Sequence, residues 1–254
     1  MLRKSSTENS PTLYRVPMRS RTVFFDWGGT LAQIPPQLNR PELVWGSTCS
    51  GFDIRRTEAE THQALVEVDR SLGPQIYRYV GRTREYWGLY DGAMTDRLCI
   101  QFRRDEIEAA VQAKFEDPSV VQLFPETWSV LDRLRAQGYP LGVISNHHDG
   151  LLDVLKFHSL DQVFESVTYS QEVGAEKPSS AVFERALKRA GCPPDEALHV
   201  GDSLRADVEG AQACGLSAVW LNRDGRPGLT TAPTIRTLNE LVPIVEQLAG
   251  PGAG

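Results

Sequence analysis

Paired cysteines, runs of basic residues and long apolar stretches are all missing from this sequence. Its four cysteines, Cys49, Cys99, Cys192 and Cys214, are scattered without metal-like or disulfide-like spacing. That excludes a disulfide framework and points to free thiols in a reducing compartment, so a cytoplasmic location is expected. Lys and Arg form no long run, and the formal net charge is −6. An acidic chain without a basic patch is not built to hold nucleic acid or an anionic membrane. No apolar run approaches the roughly 20 residues that cross a bilayer. Residues 1–20 lack the apolar core of a secretory signal. They are rich in Ser, Pro and Arg, and they read as a disordered tail with Met18 as an alternative start.

What is present is ordinary globular material. The 254 residues are 41% hydrophobic and 24% charged, enough for one large domain or two modest ones. The informative stretch is Thr22-Val23-Phe24-Phe25-Asp26-Trp27-Gly28-Gly29-Thr30-Leu31. A β-branched and aromatic run of this kind reads as a buried strand. The Asp at its end then stands at the edge of a sheet, where open α/β folds place ligands. The two glycines allow a sharp turn and close approach of backbone to a ligand.

Residues 32–51 carry Pro35, Pro36, Pro41, Gly46 and Gly51 and read as a linker or loose entry. From about Thr57 to Phe115 apolar residues recur at helical spacing, ending in a helix from Asp105 to Phe115, with no strong strand between. The aromatics here, among them Tyr86, Trp87 and Tyr90, are read as a helical core. An α/β rhythm then resumes. Strands are expected at Leu141–Ile144, Ser166–Tyr169, Leu198–Val200 and Ala218–Leu221. Helices are expected at Thr127–Gln137, Gly150–Phe157, Ser179–Ala190, Ala206–Cys214 and Leu238–Leu248. Such alternation means a parallel sheet covered on both faces. Right-handed crossovers bring the strand C-termini to one edge. That edge receives Asp26, then Ser145 and Asn146, then the segment leading to Lys177, then Asp202.

From Thr22 to Arg226 the chain resembles the haloacid dehalogenase superfamily. Four motifs carry the resemblance: Phe25 to Leu31, Val143-Ile144-Ser145-Asn146, Glu176-Lys177-Pro178, and Gly201-Asp202-Ser203 with Asp207. The phosphoglycolate phosphatase-like and haloacid dehalogenase-like members are the most similar. The resemblance implies an α/β fold, a Rossmann-like parallel sheet with an inserted helical cap domain. The core is then expected over 21–32 and 120–250, the cap over 33–119 and the tail over 1–20. It also implies hydrolysis of a small phosphorylated metabolite through an aspartyl-phosphate on Asp26, by a monomer or homodimer. Mg²⁺ would be held by Asp26, the Gly28 carbonyl and Asp202, with Asp207 in support. Gly29, Thr30, Ser145 and Asn146 would bind substrate, and Lys177 would neutralise charge. His147 and His148 are left outside the expected site.

One position departs from the family pattern. Phosphatases of this type have Asp-x-Asp in the first motif, the second Asp being the general acid. Here that position is Gly28. General acid–base catalysis contributes about 10²–10⁴ in rate, or roughly 3–5 kcal/mol. Alternatives are a weakened binding or regulatory protein, a dehalogenase-like hydrolase, or a phosphonatase-like hydrolase. The last needs a cap lysine, and Lys114 is the only one in this insert. Gly201-Asp202 argues for a metal and against dehalogenation.

Overall fold

The chain is described by a computed structural model over residues 21–33, 40–79 and 82–248. The expected tail over 1–20, Pro35 and Pro36, and a frayed end over Gly250–Gly254 lie outside the described residues. Strand β1 spans Thr22–Phe25, and a two-residue strand β2 follows at Ala32–Gln33. Four helices come next: α1 (Pro41–Gly51), α2 (Glu58–Leu72), α3 (Thr83–Arg97) and α4 (Arg104–Glu116). The chain returns through β3 (Gln122–Leu123). It continues as α5 (Thr127–Ala136), β4 (Leu141–Ser145), α6 (Gly150–Phe157), β5 (Ser166–Tyr169), α7 (Ser170–Val173) and α8 (Ser180–Ala190). Then follow β6 (Ala197–Gly201), a π-helical turn over Leu204–Glu209, α9 (Gly210–Ala213), β7 (Ser217–Leu221), β8 (Thr234–Ile235) and α10 (Leu241–Leu248).

Six strands form one sheet in the order β5-β4-β1-β6-β7-β8, and every pairing in it is parallel. Side chains of β1 alternate between faces. Val23 and Phe25 pack with Leu131 and Leu134 of α5 and Leu151 and Leu155 of α6. Phe24 packs with Val182 and Phe183 of α8 and with Val208 and Ala211. Both faces are covered, which is why the run is apolar throughout rather than alternating. Each fully buried Phe contributes about 1.5–3 kcal/mol. Strand β1 lies between β4 and β6, with Phe25 level with Val143 and Val200. The residues just beyond these strand ends are therefore neighbours at a topological switch point.

The inserted helices bury a core of their own. Trp45 and Cys49 of α1 meet Leu65 and Val68 of α2, Tyr86, Tyr90 and Met94 of α3, and Ile107 and Val111 of α4. A capping box starts α2: Thr57 accepts from the Glu60 amide while the Glu60 carboxylate accepts from the Thr57 amide. Entry and exit of the insert are joined side by side, because β2 and β3 pair antiparallel with Ala32 opposite Leu123.

The reading of residues 32–51 as a linker needs correction. Residues 41–51 are helix α1, with Val44, Trp45 and Cys49 buried. Pro41 sits in its first turn, where no amide is required, so it starts the helix rather than breaking it. Three smaller differences follow from tertiary context. The β2–β3 pair and β8 are too short to leave a periodic signal. The helix expected over Ala206–Cys214 is a π-helical turn followed by α9. Among the described residues no helix is long and apolar enough to cross a membrane.

Candidate active site

The turn after β1 is the first part of the site. The Asp26 amide donates to the Val200 carbonyl of β6 at 2.8 Å, which continues the sheet by one residue. The Leu31 and Ala32 amides both return to the Trp27 carbonyl, at 2.9 and 3.1 Å, closing a tight loop. Gly29 has φ +81°, and a Cβ built on it would lie 2.8 Å from the Asp202 carboxylate carbon. Only glycine satisfies both constraints. Arg223 ties this loop from outside. Its Nε donates to the Gly29 carbonyl at 3.1 Å and its Nη2 to the Thr30 carbonyl at 2.9 Å. It also pairs with Glu126 at 2.7 Å and stacks 3.5 Å from the Phe124 ring centre.

Lys177 is the hub. Its ammonium donates to Asp26 Oδ1 at 2.8 Å, Asp207 Oδ1 at 2.6 Å and the Ile144 carbonyl at 2.7 Å. These bonds use all three of its donors. Asn146 fixes the backbone that carries it: the Lys177 amide donates to Asn146 Oδ1 at 2.7 Å, and Asn146 Nδ2 donates to the Lys177 carbonyl at 3.1 Å. Asp207 is held from three sides. Besides Lys177, it accepts from His199 Nε2 at 3.0 Å on Oδ1 and from the Ser203 amide at 2.9 Å on Oδ2. The π-helical turn presses it so closely on β6 that a Cβ at Gly201 would lie 2.1 Å from its carboxyl carbon. Turns of this type are frequent at functional sites. Asp202 pairs through Oδ2 with Arg226 at 2.9 Å, and its carbonyl accepts from Trp220 Nε1 at 3.0 Å.

Burial sets the electrostatics. Asp26 is 7% exposed. Desolvation raises its pKa to about 7 against the opposing pull of Lys177. Burial would raise Asp207 too, but the Lys177 charge and the His199 hydrogen bond outweigh it and hold that carboxyl well below the usual range. Burial works against the Lys177 ammonium, yet Asp26 and Asp207 keep its pKa above the ordinary value.

A cavity of about 320 Å³ opens here, lined in part by Asp26, Gly28, Ser145, His147, Lys177 and Asp202. Asn146 and Asp207 line it as well. The structure thus brings together most residues expected from sequence, but not all as expected. Both ends of the Asn146 amide are engaged with Lys177 rather than open to a ligand. Thr30 is fully buried, its hydroxyl has no hydrogen-bond partner among the described residues, and it does not line the cavity. Gly29 lies behind Asp202 rather than in the lining. Carboxylate oxygens of Asp26, Asp202 and Asp207 all lie within 4.8 Å of one another, a donor set suited to a hard divalent cation.

A sequence profile of the haloacid dehalogenase-like hydrolases matches residues 20–215. The chain belongs to this family. As a haloacid dehalogenase-like hydrolase it is 39% identical over 201 residues to haloacid dehalogenase-like hydrolase domain-containing protein 3 of Mus musculus. That match covers 68% of this chain and 78% of the mouse protein. It is 37% identical over 111 residues to glyceraldehyde 3-phosphate phosphatase of Methanothermobacter thermautotrophicus, a match covering 42% of this chain and 47% of that relative. Among solved structures, a HAD phosphatase from Thermococcus onnurineus superposes with a TM-score of 0.66 at 28% identity, over 89% of this chain and 97% of that one.

Three residues around the site of this hydrolase were not expected from sequence. His147 was set aside because a lone loop histidine carries no signature. Arg226 and Arg223 sit in a Gly- and Pro-containing loop and act on a carboxylate and on main-chain carbonyls distant in sequence. No residue-type pattern announces such contacts.

Proposed function

We propose that this chain is a Mg²⁺-dependent phosphomonoesterase acting on a small phosphorylated metabolite, with Asp26 as nucleophile and the inserted helices as its cap. The observation that carries the reading is the Asp26–Lys177–Asp207 arrangement, opening on a cavity with Asp202. Lys177 holds Asp26 by Oδ1 alone, so Oδ2 is left to attack phosphorus. The new Oδ2–phosphorus bond forms as the ester oxygen–phosphorus bond breaks. The alcohol leaves as an oxyanion that takes a proton from solvent. Water then cleaves the aspartyl-phosphate, giving inorganic phosphate and the free carboxylate.

Charge supports a divalent cation in this site. Three carboxylates face Lys177 and Arg226, and a phosphomonoester adds up to two further negative charges. Asp26, the Gly28 carbonyl and Asp202 would hold the ion. Asp207 has one lone pair left on Oδ2 to support it. When bound, the ion supplies electrophilic charge to the phosphoryl group. Ser145, at the end of β4, donates to a phosphoryl oxygen, and the Lys177 charge offsets the phosphoryl negative charge from the protein side.

The absent acid at Gly28 directs the reading toward leaving groups that need little protonation. It also favours a second reading, in which the chain binds its ligand without turning it over. A Cβ built on Gly28 meets nothing within 4 Å, so an acid fits there. The test measures aryl and alkyl phosphate hydrolysis with Mg²⁺ in wild type, Asp26→Asn and Gly28→Asp. The phosphatase reading expects wild-type cleavage of the aryl ester and its loss, by at least about 10⁴-fold, in Asp26→Asn. It further expects a gain of about 10²-fold on the alkyl ester in Gly28→Asp. A silent wild type beside an active Gly28→Asp supports the binding protein instead.

A further inference from the structure

We propose that His147 is the catalytic base that deprotonates the water attacking the aspartyl-phosphate, in place of the carboxylate that Gly28 cannot supply. This rests on the phosphatase reading above and says how its second half-reaction is run.

The cavity offers few titratable groups without a partner. All three Lys177 donors are engaged, and Asp207 has both oxygens bonded. Asp202 is paired with Arg226, and Asp26 is the nucleophile itself. His147 is the remaining titratable side chain in the lining. It is held rather than loose. Its carbonyl accepts from Ser170 Oγ at 3.1 Å and from the Gln171 amide at 3.2 Å. Its Nδ1 lies 2.9 Å from the His148 carbonyl. A carbonyl can only accept, so Nδ1 carries the proton and Nε2 carries the lone pair. No group among the described residues is hydrogen-bonded to Nε2. A ring fixed at one nitrogen and open at the other has the form a general base requires.

The surroundings keep that lone pair free. Burial, helped by the neighbouring His148 ring and opposed by the His148 carbonyl and Asp149, lowers the His147 pKa to about 4. Asp149 is itself paired with Arg84 from α3 at 3.3 Å, which weakens its pull. Across the cavity, Asp26, Asp207 and Asp202 are balanced against Lys177 and Arg226. A neutral imidazole cannot protonate the first leaving group, so the assignment is limited to the second step. There a water proton passes to Nε2, the water oxygen bonds to phosphorus, and the Asp26 oxygen–phosphorus bond breaks. The proton then leaves to solvent.

Stopped-flow hydrolysis of p-nitrophenyl phosphate with Mg²⁺ separates the two steps, using the full chain as wild type, His147→Gln, His147→Asn and Asp26→Asn. The expected result is that His147→Gln releases one phenolate per chain in a burst as fast as the wild type's first turnover. Its steady-state rate then falls by about 10²-fold. The wild-type steady-state rate carries an acid limb near pH 4 as the base takes a proton, and this limb is absent in His147→Gln. The limb near pH 7 from Asp26, by contrast, is seen in the burst rate of both. A full burst also shows that the variant is folded, and His147→Asn repeats the measurement with a smaller amide. Equal slowing of burst and steady state, or no change in either, overturns the proposal. Absence of any Asp26-dependent burst or turnover in wild type overturns the phosphatase reading and this step with it.

Discussion

Asp207 at the sheet edge and Asp91 on α3 are both almost fully buried, at 2% and 5% exposure, and their surroundings push them in opposite directions. Asp207 sits among an ammonium, an imidazole and a main-chain amide, and it stays ionised well into acid. Asp91 receives one bond, from Gln112 Nε2 at 2.9 Å. Burial raises its pKa to about 6, with Glu108 adding repulsion. The difference lies in who meets the carboxylate. The pocket around Asp207 is a prearranged receptacle for negative charge, built from Lys177, His199 and the Ser203 amide. Asp26, on the same edge with Lys177 as its side-chain donor, instead has its pKa raised by burial, as Asp91 does. The inserted helices form an apolar core that tolerates a carboxyl best when it is protonated. Elsewhere on the insert, charge lies at the surface in pairs such as Arg97–Glu67 and Arg103–Glu106, each worth at most about 1 kcal/mol.

The hardest blow to this comparison comes from neutralising each carboxylate in turn. Asp207→Asn leaves Lys177 buried with one carboxylate fewer and is expected to destabilise the protein by about 3–5 kcal/mol at pH 7, read as a lowered urea midpoint. The sign follows from a depressed pKa. The stabilisation from Asp207 is present above about 4, its ordinary value, and is lost as pH falls toward its folded-state value. If Asp207→Asn proves as mild as Asp91→Asn, the pocket around Asp207 is no special receptacle.

A smaller effect tests whether the edge is also a metal site. Mg²⁺ at about 100 times its dissociation constant should stabilise the wild type by about 3 kcal/mol, seen as a rise in melting temperature reversed by chelation. Asp202→Asn should lose most of that rise. Mg²⁺ that stabilises both equally binds somewhere other than this carboxylate cluster.

The smallest effect sharpens the other side. Because the Asp91 pKa is raised, its contribution is present below about 4 and is lost as pH rises through about 6. Asp91→Asn keeps a partner for Gln112 and carries no charge. It should therefore stabilise the protein by about 1 kcal/mol at pH 8 and make no difference at pH 4. Urea melts at the two pH values decide this, and a gain at pH 4 would refute the assigned cause.

How much of this was legible in the sequence depends on where each partner lies. The sheet and its active edge were readable because β1, β4 and β6 are short apolar runs that end in polar residues. Right-handed crossovers then leave few places for Asp26, Ser145 and Asp202 to go. Lys177 was readable as a residue but not as the holder of two carboxylates, since that depends on the π-helical turn that swings Asp207 inward. Asn146 sits at the expected position with its amide turned to the Lys177 backbone, a choice no spacing encodes. Helix α1 was missed because proline at a helix start and proline in a linker look the same until Trp45 and Cys49 find the other helices. Arg223 was missed because main-chain carbonyls have no residue identity for a pattern to register.

The paired stems β2 and β3 have a consequence of a different kind. The chain leaves for the insert and returns from it across a single antiparallel ladder, with Gln33 beside Gln122. From the sheet's side, the distance to be bridged is therefore one strand spacing whatever lies beyond it. The cost of closing the chain at that point rises only slowly with the number of residues inserted, by about 0.6 kcal/mol per doubling. Recombination can lengthen, shorten or exchange everything between the stems while the sheet edge that carries Asp26 keeps its shape. Chimaeras joined at Gln33 and Gln122 are therefore the natural unit for exchanging the insert between chains that share this sheet.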